Sequence, residues 1–131
     1  MTVSILVIDD SRTIRRSVQL SLVQAGYKVI AACDGVEGVR LWQETQPDLI
    51  ITDIMMPERD GIETILEIRR RAPLTKILAM TGFRLESSLE FPAMLRHLGA
   101  DDVLTKPFGP DLLLCKVDAL LKRVPVTMVA G

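Results

Sequence analysis

The chain contains few of the residues from which zinc sites and disulfide frameworks are built. Its 131 residues include one histidine, His97, two cysteines, Cys33 and Cys115, and only 4% aromatic residues. The cysteines lie in separate apolar segments without metal-type spacing, so we predict two small buried thiols in a reducing compartment. His97 falls in a predicted helix away from the strand ends, which favours a surface or half-buried histidine over a catalytic one.

The chain also has no excess of one charge and no long apolar run. The formal net charge is −1 and no basic stripe is present, so we expect no nucleic acid and no anionic membrane surface as partner. No apolar run approaches the roughly 20 residues that span a bilayer, and no basic leader precedes the first strand. With 48% hydrophobic and 25% charged residues, we expect one soluble, cytoplasmic globular domain.

Short apolar runs alternate with amphipathic segments along the whole chain. The runs predict strands at 3–8, 27–32, 48–52, 75–80 and 101–105. A helix is predicted after each strand. Alternation of this kind with short connections predicts an α/β fold, a doubly wound parallel sheet with helices on both faces.

Capping residues define the expected helices. Ser11, Asp34 and Asp60 precede the first three helices as N-caps, and Val36 is expected to point inward. The arginine run at 69–71 is interpreted as a favourable end of the third helix, because cations stabilise the negative helix terminus. Since proline disrupts a helix interior, the fourth helix is predicted to run from about Pro92 to residue 98.

Polar side chains follow four of the predicted strands. Asp9 and Asp10 follow the first strand, Asp53 the third, Thr81 the fourth and Lys106 the fifth. Ligands of parallel sheets bind outside the carboxyl ends of the strands, so one crevice should hold all five side chains. Crowded carboxylates need a cation, and oxygen ligands without histidine or cysteine indicate Mg²⁺. The hydroxyl and ammonium suit phosphoryl oxygens, and a carboxylate can itself accept a phosphoryl group.

The ordered set of motifs resembles the receiver domain of two-component response regulators. It consists of Asp9-Asp10, Asp53, Met56-Pro57-x-x-Asp60-Gly61, Thr81-Gly82 and Lys106-Pro107-Phe108. The resemblance covers about residues 3–123. It implies a flavodoxin-like, CheY-like sheet of order 2-1-3-4-5 with five helices, a receiver domain at 1–124 and a short tail at 125–131. It also implies a cis bond before Pro107.

The resemblance implies a role for each acidic residue. Asp53 would be the phosphoacceptor. Asp10 and Asp53 would hold Mg²⁺ directly, together with the backbone carbonyl of Met55, and Asp9 would act largely through water. Mn²⁺ could replace Mg²⁺ in such a site.

The resemblance likewise implies how the phosphoryl group is received and sensed. Lys106 would pair with the phosphoryl group and Thr81 would donate its hydroxyl to it. The position three before the lysine, often aromatic in the family, is Val103 here. A switch through Thr81 and Val103 therefore lacks the usual ring, for which Phe83 or Phe91 is a candidate replacement.

The expected function is that of a single-domain response regulator. A sensor histidine kinase or histidine phosphotransfer protein would supply the phosphoryl group, and the product would bind an unknown protein target in trans or pass the group along a relay. Arg12, Arg15 and Arg16 fit either a solvated helix face or a docking surface beside the acidic site. We expect no independent substrate turnover. The alternatives are an Mg²⁺-dependent phosphatase with an aspartyl-phosphate intermediate and a binding module that is not phosphorylated.

Overall fold

The computed structural model describes residues 2–55, 61–82 and 90–122, including side chains in the last range from residue 92 onward. Five strands alternate with five helices within these residues. The strands are β1 (Ser4–Ile8), β2 (Lys28–Ala32), β3 (Leu49–Asp53), β4 (Lys76–Thr81) and β5 (Asp102–Thr105). The helices are α1 (Arg12–Gln24), α2 (Gly35–Thr45), α3 (Gly61–Arg71), α4 (Glu90–Leu98) and α5 (Pro110–Lys122).

All strand pairs are parallel, and the strand order is β2-β1-β3-β4-β5. The predicted fold class and strand order are therefore confirmed. The predicted strands agree with the observed ones to within one residue at each end. The tail expected at 125–131 lies outside the described residues.

The sheet is buried on both faces, which explains why its strands are nearly continuous apolar runs. Along β1, Leu6 and Ile8 face α2, α3 and α4, whereas Ile5 and Val7 face α1 and α5. The helices supply matching apolar stripes. On the first face these are Val39, Trp42, Ile65, Ile68 and Leu95, and on the second Val18, Leu22, Leu113, Val117 and Leu120.

Two of the three predicted caps are observed. The Ser11 hydroxyl accepts a hydrogen bond from the Ile14 amide at 3.4 Å, and Oδ1 of Asp34 accepts one from the Glu37 amide at 2.8 Å. Asp60 lies outside the described residues. The inward orientation predicted for Val36 is wrong: its side chain is 61% exposed, because the buried stripe of α2 begins at the preceding residue, Gly35.

The fourth helix begins at Glu90, about two residues before its predicted start at Pro92. Proline is tolerated there because the first-turn amides of a helix have no intrahelical acceptor.

The prediction of two buried thiols is wrong, since both cysteines are exposed. Cys33 lies just past the end of β2, and Cys115 lies on the outer side of α5, between the inward Leu113 and Val117. None of the helices in the described ranges is long and apolar enough to cross a membrane.

Arg69, at the end of α3, joins two connections by hydrogen bonds, the one from α3 to β4 and the one from α4 to β5. Its Nε and Nη2 donate to the carbonyl of Gly99 at 3.0 and 2.6 Å. Its Nη1 donates to the carbonyls of Pro73 and Thr75 at 2.6 and 2.7 Å. Nη2 also pairs with Oδ2 of Asp101 at 2.9 Å. The charge at the helix terminus is thus only part of its role, because this arginine ties the end of α4 to the starts of β4 and β5.

Replacing this arginine should destabilise the fold. We expect Arg69→Met to lower the free energy of unfolding by about 3 kcal/mol, because several carbonyls and the Asp101 carboxylate lose a charged donor. Arg70→Met, a change at the exposed neighbouring residue, should cost less than about 0.5 kcal/mol. Urea unfolding at equilibrium measures both. Equal losses in the two variants would contradict a specific role for Arg69.

Candidate functional site

The reversal of strand order between β1 and β3 creates the site. Ile8 of β1 is paired with Thr52 of β3, so the residues that follow, Asp9 and Asp53, lie next to each other at the carboxyl edge. A crevice at such a reversal is the usual ligand site of a doubly wound sheet. The two aspartates owe their proximity to strand register, although 44 positions separate them in the chain.

Three carboxylates converge at this edge. One oxygen from each of Asp9, Asp10 and Asp53 lies within 4.8 Å of the other two. Asp9 is 0% exposed and Asp53 is 5% exposed, whereas Asp10 faces solvent. Mg²⁺ prefers hard oxygen ligands, and carboxylates are its usual protein ligands. The donor set is all oxygen and converges on one point at the sheet edge, so the chemistry of these residues fits Mg²⁺.

Lys106 places its ammonium between the two buried carboxylates. Its Nζ lies 3.0 Å from Oδ2 of Asp9 and 3.3 Å from Oδ1 of Asp53. The residue follows β5, and its amide donates to the carbonyl of Thr81 at 2.7 Å, which holds the end of β5 against the end of β4. The peptide bond from Lys106 to Pro107 is cis.

The two buried carboxylates differ in how their oxygens are used. In Asp9, Oδ1 accepts the Ser11 amide at 2.9 Å while Oδ2 binds Lys106, so both oxygens are engaged. In Asp53, Oδ1 takes Lys106 and a longer contact of 3.5 Å from the Met55 amide. Oδ2 of Asp53 takes no hydrogen bond from the described part of the chain. Both oxygens of Asp9 are thus held by hydrogen bonds, whereas Asp53 keeps one oxygen available for reaction.

The environment of Asp53 disfavours its charge. Burial raises the pKa of the Asp53 carboxyl above its ordinary value of 3.8, and the Asp9 carboxylate adds to the rise. Lys106 opposes both effects without overcoming them. An ionised Asp53 is therefore under electrostatic stress that a divalent cation would relieve.

The remaining predicted site residues occupy distinct positions. Met55 has a 61% exposed side chain next to the site, and Thr81 is buried at the end of β4. Val103 is buried in the core on the face of α2, α3 and α4, paired in register with Ala79. Phe83 and the side chain of Phe91 lie outside the described residues.

Two residues near the site act in ways that sequence reasoning did not assign. Nη1 of Arg15 donates to the backbone carbonyl of Asp9 at 2.7 Å, whereas Arg12 and Arg16 are exposed. Gly61, at the start of α3, donates its amide to the carbonyl of Ile54 at 2.9 Å. A Cβ at Gly61 would collide with the carbonyl oxygen of Asp53 and lie 2.7 Å from Cα of Ile54. The glycine of the Met56-Pro57-x-x-Asp60-Gly61 motif thus lies directly against the end of β3.

Comparison with known proteins agrees with this geometry. A family model described as the response regulator receiver domain matches residues 5–118. The Bacillus subtilis (strain 168) alkaline phosphatase synthesis transcriptional regulatory protein PhoP is 40% identical over 124 residues, which are 94% of this chain and 50% of PhoP. The chain spans about half the length of the curated relatives it matches.

Solved structures agree as well. The receiver domain of Francisella response regulator 1452 superposes with a TM-score of 0.86 at 31% identity, covering 94% of this chain and 99% of that one. The Vibrio cholerae chemotaxis protein CheY4 gives 0.84 at 34% identity, covering 92% and 99%. The chain belongs to the receiver domain family of two-component response regulators.

The contact at Gly61 should make this position intolerant of a side chain. We expect Gly61→Ala to lower the free energy of unfolding by about 2 kcal/mol or more, because the added methyl meets backbone that cannot move aside. The loss should occur although alanine is the better helix former by about 1 kcal/mol. Gly109→Ala, where an added Cβ meets nothing within 4 Å, is the matched control and should change stability little. Thermal unfolding of both variants tests this, and an unchanged Gly61→Ala protein would refute the contact.

The raised pKa of Asp53 implies that its charge weakens the metal-free fold. The folded state binds this proton more tightly than the unfolded state, so stability falls as pH rises through the window above 3.8. As pH falls through the folded pKa, the penalty disappears. Asp53→Asn should therefore raise the free energy of unfolding near neutral pH by about 1 kcal/mol, and this gain should shrink towards acid pH.

Denaturant unfolding without divalent ions at several pH values measures this effect. Asp48→Asn, the same substitution at the other end of β3, serves as control and should not show the pH-dependent gain. Added Mg²⁺ should stabilise the unsubstituted chain more than Asp53→Asn, because binding to the folded state alone stabilises it. A loss of stability in Asp53→Asn at neutral pH would contradict the electrostatic interpretation.

Proposed function

We propose that the chain accepts a phosphoryl group on Asp53 in an Mg²⁺-dependent reaction and that the modified site changes binding to a protein partner. The observation that carries the proposal is the ammonium of Lys106, which lies within 3.3 Å of both buried carboxylates of a three-carboxylate cluster. A nucleophile, a cation site and a fixed positive charge thus share one crevice.

The proposed chemistry is a displacement at phosphorus. An oxygen of the Asp53 carboxylate forms the new P–O bond, and the P–N bond of a phosphohistidine donor breaks, with its electron pair returning to the imidazole. Oδ2 is the better placed oxygen, because Lys106 and Met55 contact Oδ1. A bound Mg²⁺, or Mn²⁺, would neutralise charge on the carboxylates and on the phosphoryl oxygens. Asp10, Asp53 and the carbonyl of Met55 would hold it, with Asp9 acting mainly through water.

Lys106 and Thr81 are the residues proposed to register the new anion. Before transfer, the ammonium is shared between Asp9 and Asp53. Phosphorylation of Asp53 adds negative charge close to that ammonium and favours its movement towards the phosphoryl oxygens. Thr81 ends the strand beside β3 and would donate its hydroxyl to the same group. Because the Lys106 amide is bonded to the Thr81 carbonyl, movement of either residue reaches the other.

The proposal for partners follows the family in part. The donor would be a sensor histidine kinase or a histidine phosphotransfer protein. The name of the Bacillus relative is that of a transcriptional regulatory protein, and this chain matches half of it. Because the match covers only half of that protein, we propose only phosphoryl transfer to this chain and binding to a protein target. Action as a single domain, absence of a nucleic-acid partner and a cytoplasmic location stay predictions.

We further propose that the chain turns over no independent substrate. A phosphatase that works through an aspartyl phosphate needs an additional general acid near the nucleophile. The residue two positions after Asp53 is Met55, whose exposed thioether cannot donate a proton. This observation favours the signalling role over the phosphatase.

Phosphorylation with a small acyl phosphate tests the proposed function. With acetyl phosphate and Mg²⁺, intact mass spectrometry should show addition of one phosphoryl group, mapped to Asp53 after borohydride reduction. The product should be abolished in Asp53→Asn and on removal of the divalent ion by chelation. Asp48→Asn should be modified to the same extent as the unsubstituted chain, because Asp48 lies at the opposite end of β3.

The remaining outcomes separate the alternatives. An unmodified chain under these conditions would favour a binding module that is not phosphorylated. Rapid hydrolysis of a free phosphomonoester, lost in Asp53→Asn, would favour the phosphatase. Modification at a residue other than Asp53 would overturn the assignment of the acceptor.

A further inference from the structure

Arg15 differs from the two other arginines at the start of α1. Arg12 and Arg16 are exposed to solvent, whereas Arg15 is half-buried. Its Nη1 donates to the backbone carbonyl of Asp9 at 2.7 Å, the length of a strong charge-assisted hydrogen bond. A docking surface or a solvated helix face does not account for this inward contact with the edge of the acidic site.

Arg15 provides the third of three hydrogen bonds that hold the turn between β1 and α1. The Asp9 amide donates to the carbonyl of Ala32 at 3.1 Å, and the Ser11 amide donates to Oδ1 of Asp9 at 2.9 Å. Arg15 binds the third group of this turn, the carbonyl of the peptide that links Asp9 to Asp10. The orientation of that peptide plane sets the backbone angle at which Asp10 leaves β1.

Asp10 depends on this backbone more than its two partners do. The carboxylate of Asp9 is held by Ser11 and Lys106, and that of Asp53 is nearly buried. Asp10 is exposed, so packing does not orient it. The direction of its Cα–Cβ bond is therefore set by the backbone, which includes the peptide that Arg15 holds.

We propose that Arg15 is a positioning residue of the metal site, acting through the Asp9–Asp10 peptide to aim the Asp10 carboxylate at the cation. This inference rests on the proposed Mg²⁺ site. Groups that orient metal ligands commonly change affinity by about tenfold or more when removed. The guanidinium itself repels a cation, so its geometric and electrostatic effects have opposite signs. The sign of the change on substitution therefore identifies the dominant effect.

The experiment compares Mg²⁺ binding in four proteins by isothermal titration calorimetry. These are the unsubstituted chain, Arg15→Met, Arg15→Lys and Arg16→Met. We expect Arg15→Met to raise the dissociation constant for Mg²⁺ roughly five- to tenfold and Arg15→Lys to recover part of the loss through its own ammonium donor. Arg16→Met removes the same charge from the adjacent, exposed position and should stay within about twofold of the unsubstituted chain.

A second readout needs no metal. In the metal-free chain, Arg15→Met should shift the Asp9 carbonyl ¹³C and the Asp10 amide ¹⁵N resonances, and Arg16→Met should leave both in place. This measurement detects the lost hydrogen bond in folded protein, so a general loss of stability cannot imitate it.

The outcomes are distinguishable. Equal or tighter Mg²⁺ binding by Arg15→Met, or an equal loss in Arg16→Met, would overturn the role of Arg15 and leave the proposed function intact. Unchanged Asp9 and Asp10 resonances in Arg15→Met would also overturn it. Failure of the unsubstituted chain to bind Mg²⁺ at millimolar concentration would overturn the metal site of the proposed function, and the inference with it.

Discussion

The ammonium of Lys106 between Asp9 and Asp53 is the interaction on which the functional edge of the sheet depends. The register of β1 and β3 forces two buried carboxylates together. An unpaired charge there would cost several kcal/mol, and only Lys106 reaches both carboxylates among the described residues. The fifth strand must therefore end at a position from which Lys106 can reach past β4 to Asp9 and Asp53. Charge balance thus links parts of the chain that are distant in sequence.

The same balance is incomplete, and this makes the site responsive. One ammonium faces two buried carboxylates, and the exposed Asp10 adds a third negative charge. The raised pKa of Asp53 shows that burial and Asp9 outweigh the lysine. A fully neutralised site would gain little from a cation, whereas a cation bound here would offset the carboxylates and the negative charge that a phosphoryl group adds. The proposed phosphoryl transfer therefore acts on a site whose metal-free state is stable enough to fold and strained enough to change.

The sequence predicts features that depend on local pattern. Strand positions, the Ser11 and Asp34 caps and the polar strand ends were predictable, because periodicity and capping act over a few residues. The strand order came from family resemblance, since periodicity does not specify which strands pair. The roles of Arg15 and Arg69 were not predictable, because each binds carbonyls of turns that only the folded chain brings together. The cysteines were misjudged because an apolar neighbourhood in sequence says little about the last residue beside a strand or the outer side of a helix.

The contacts around β4, β5 and α4 constrain how a change at Asp53 can spread. Arg69 binds the carbonyl of Gly99 and the carboxylate of Asp101, so the carboxyl end of α4 is tied to α3. At the opposite, carboxyl edge of the sheet, β4 and β5 are coupled by the hydrogen bond from the Lys106 amide to the Thr81 carbonyl. Val103, between these two anchors, is small and buried and has no ring to turn. Movement of Lys106 would therefore first displace the carboxyl ends of β4 and β5. The hydrogen bonds of Arg69 would hold the carboxyl end of α4 in place.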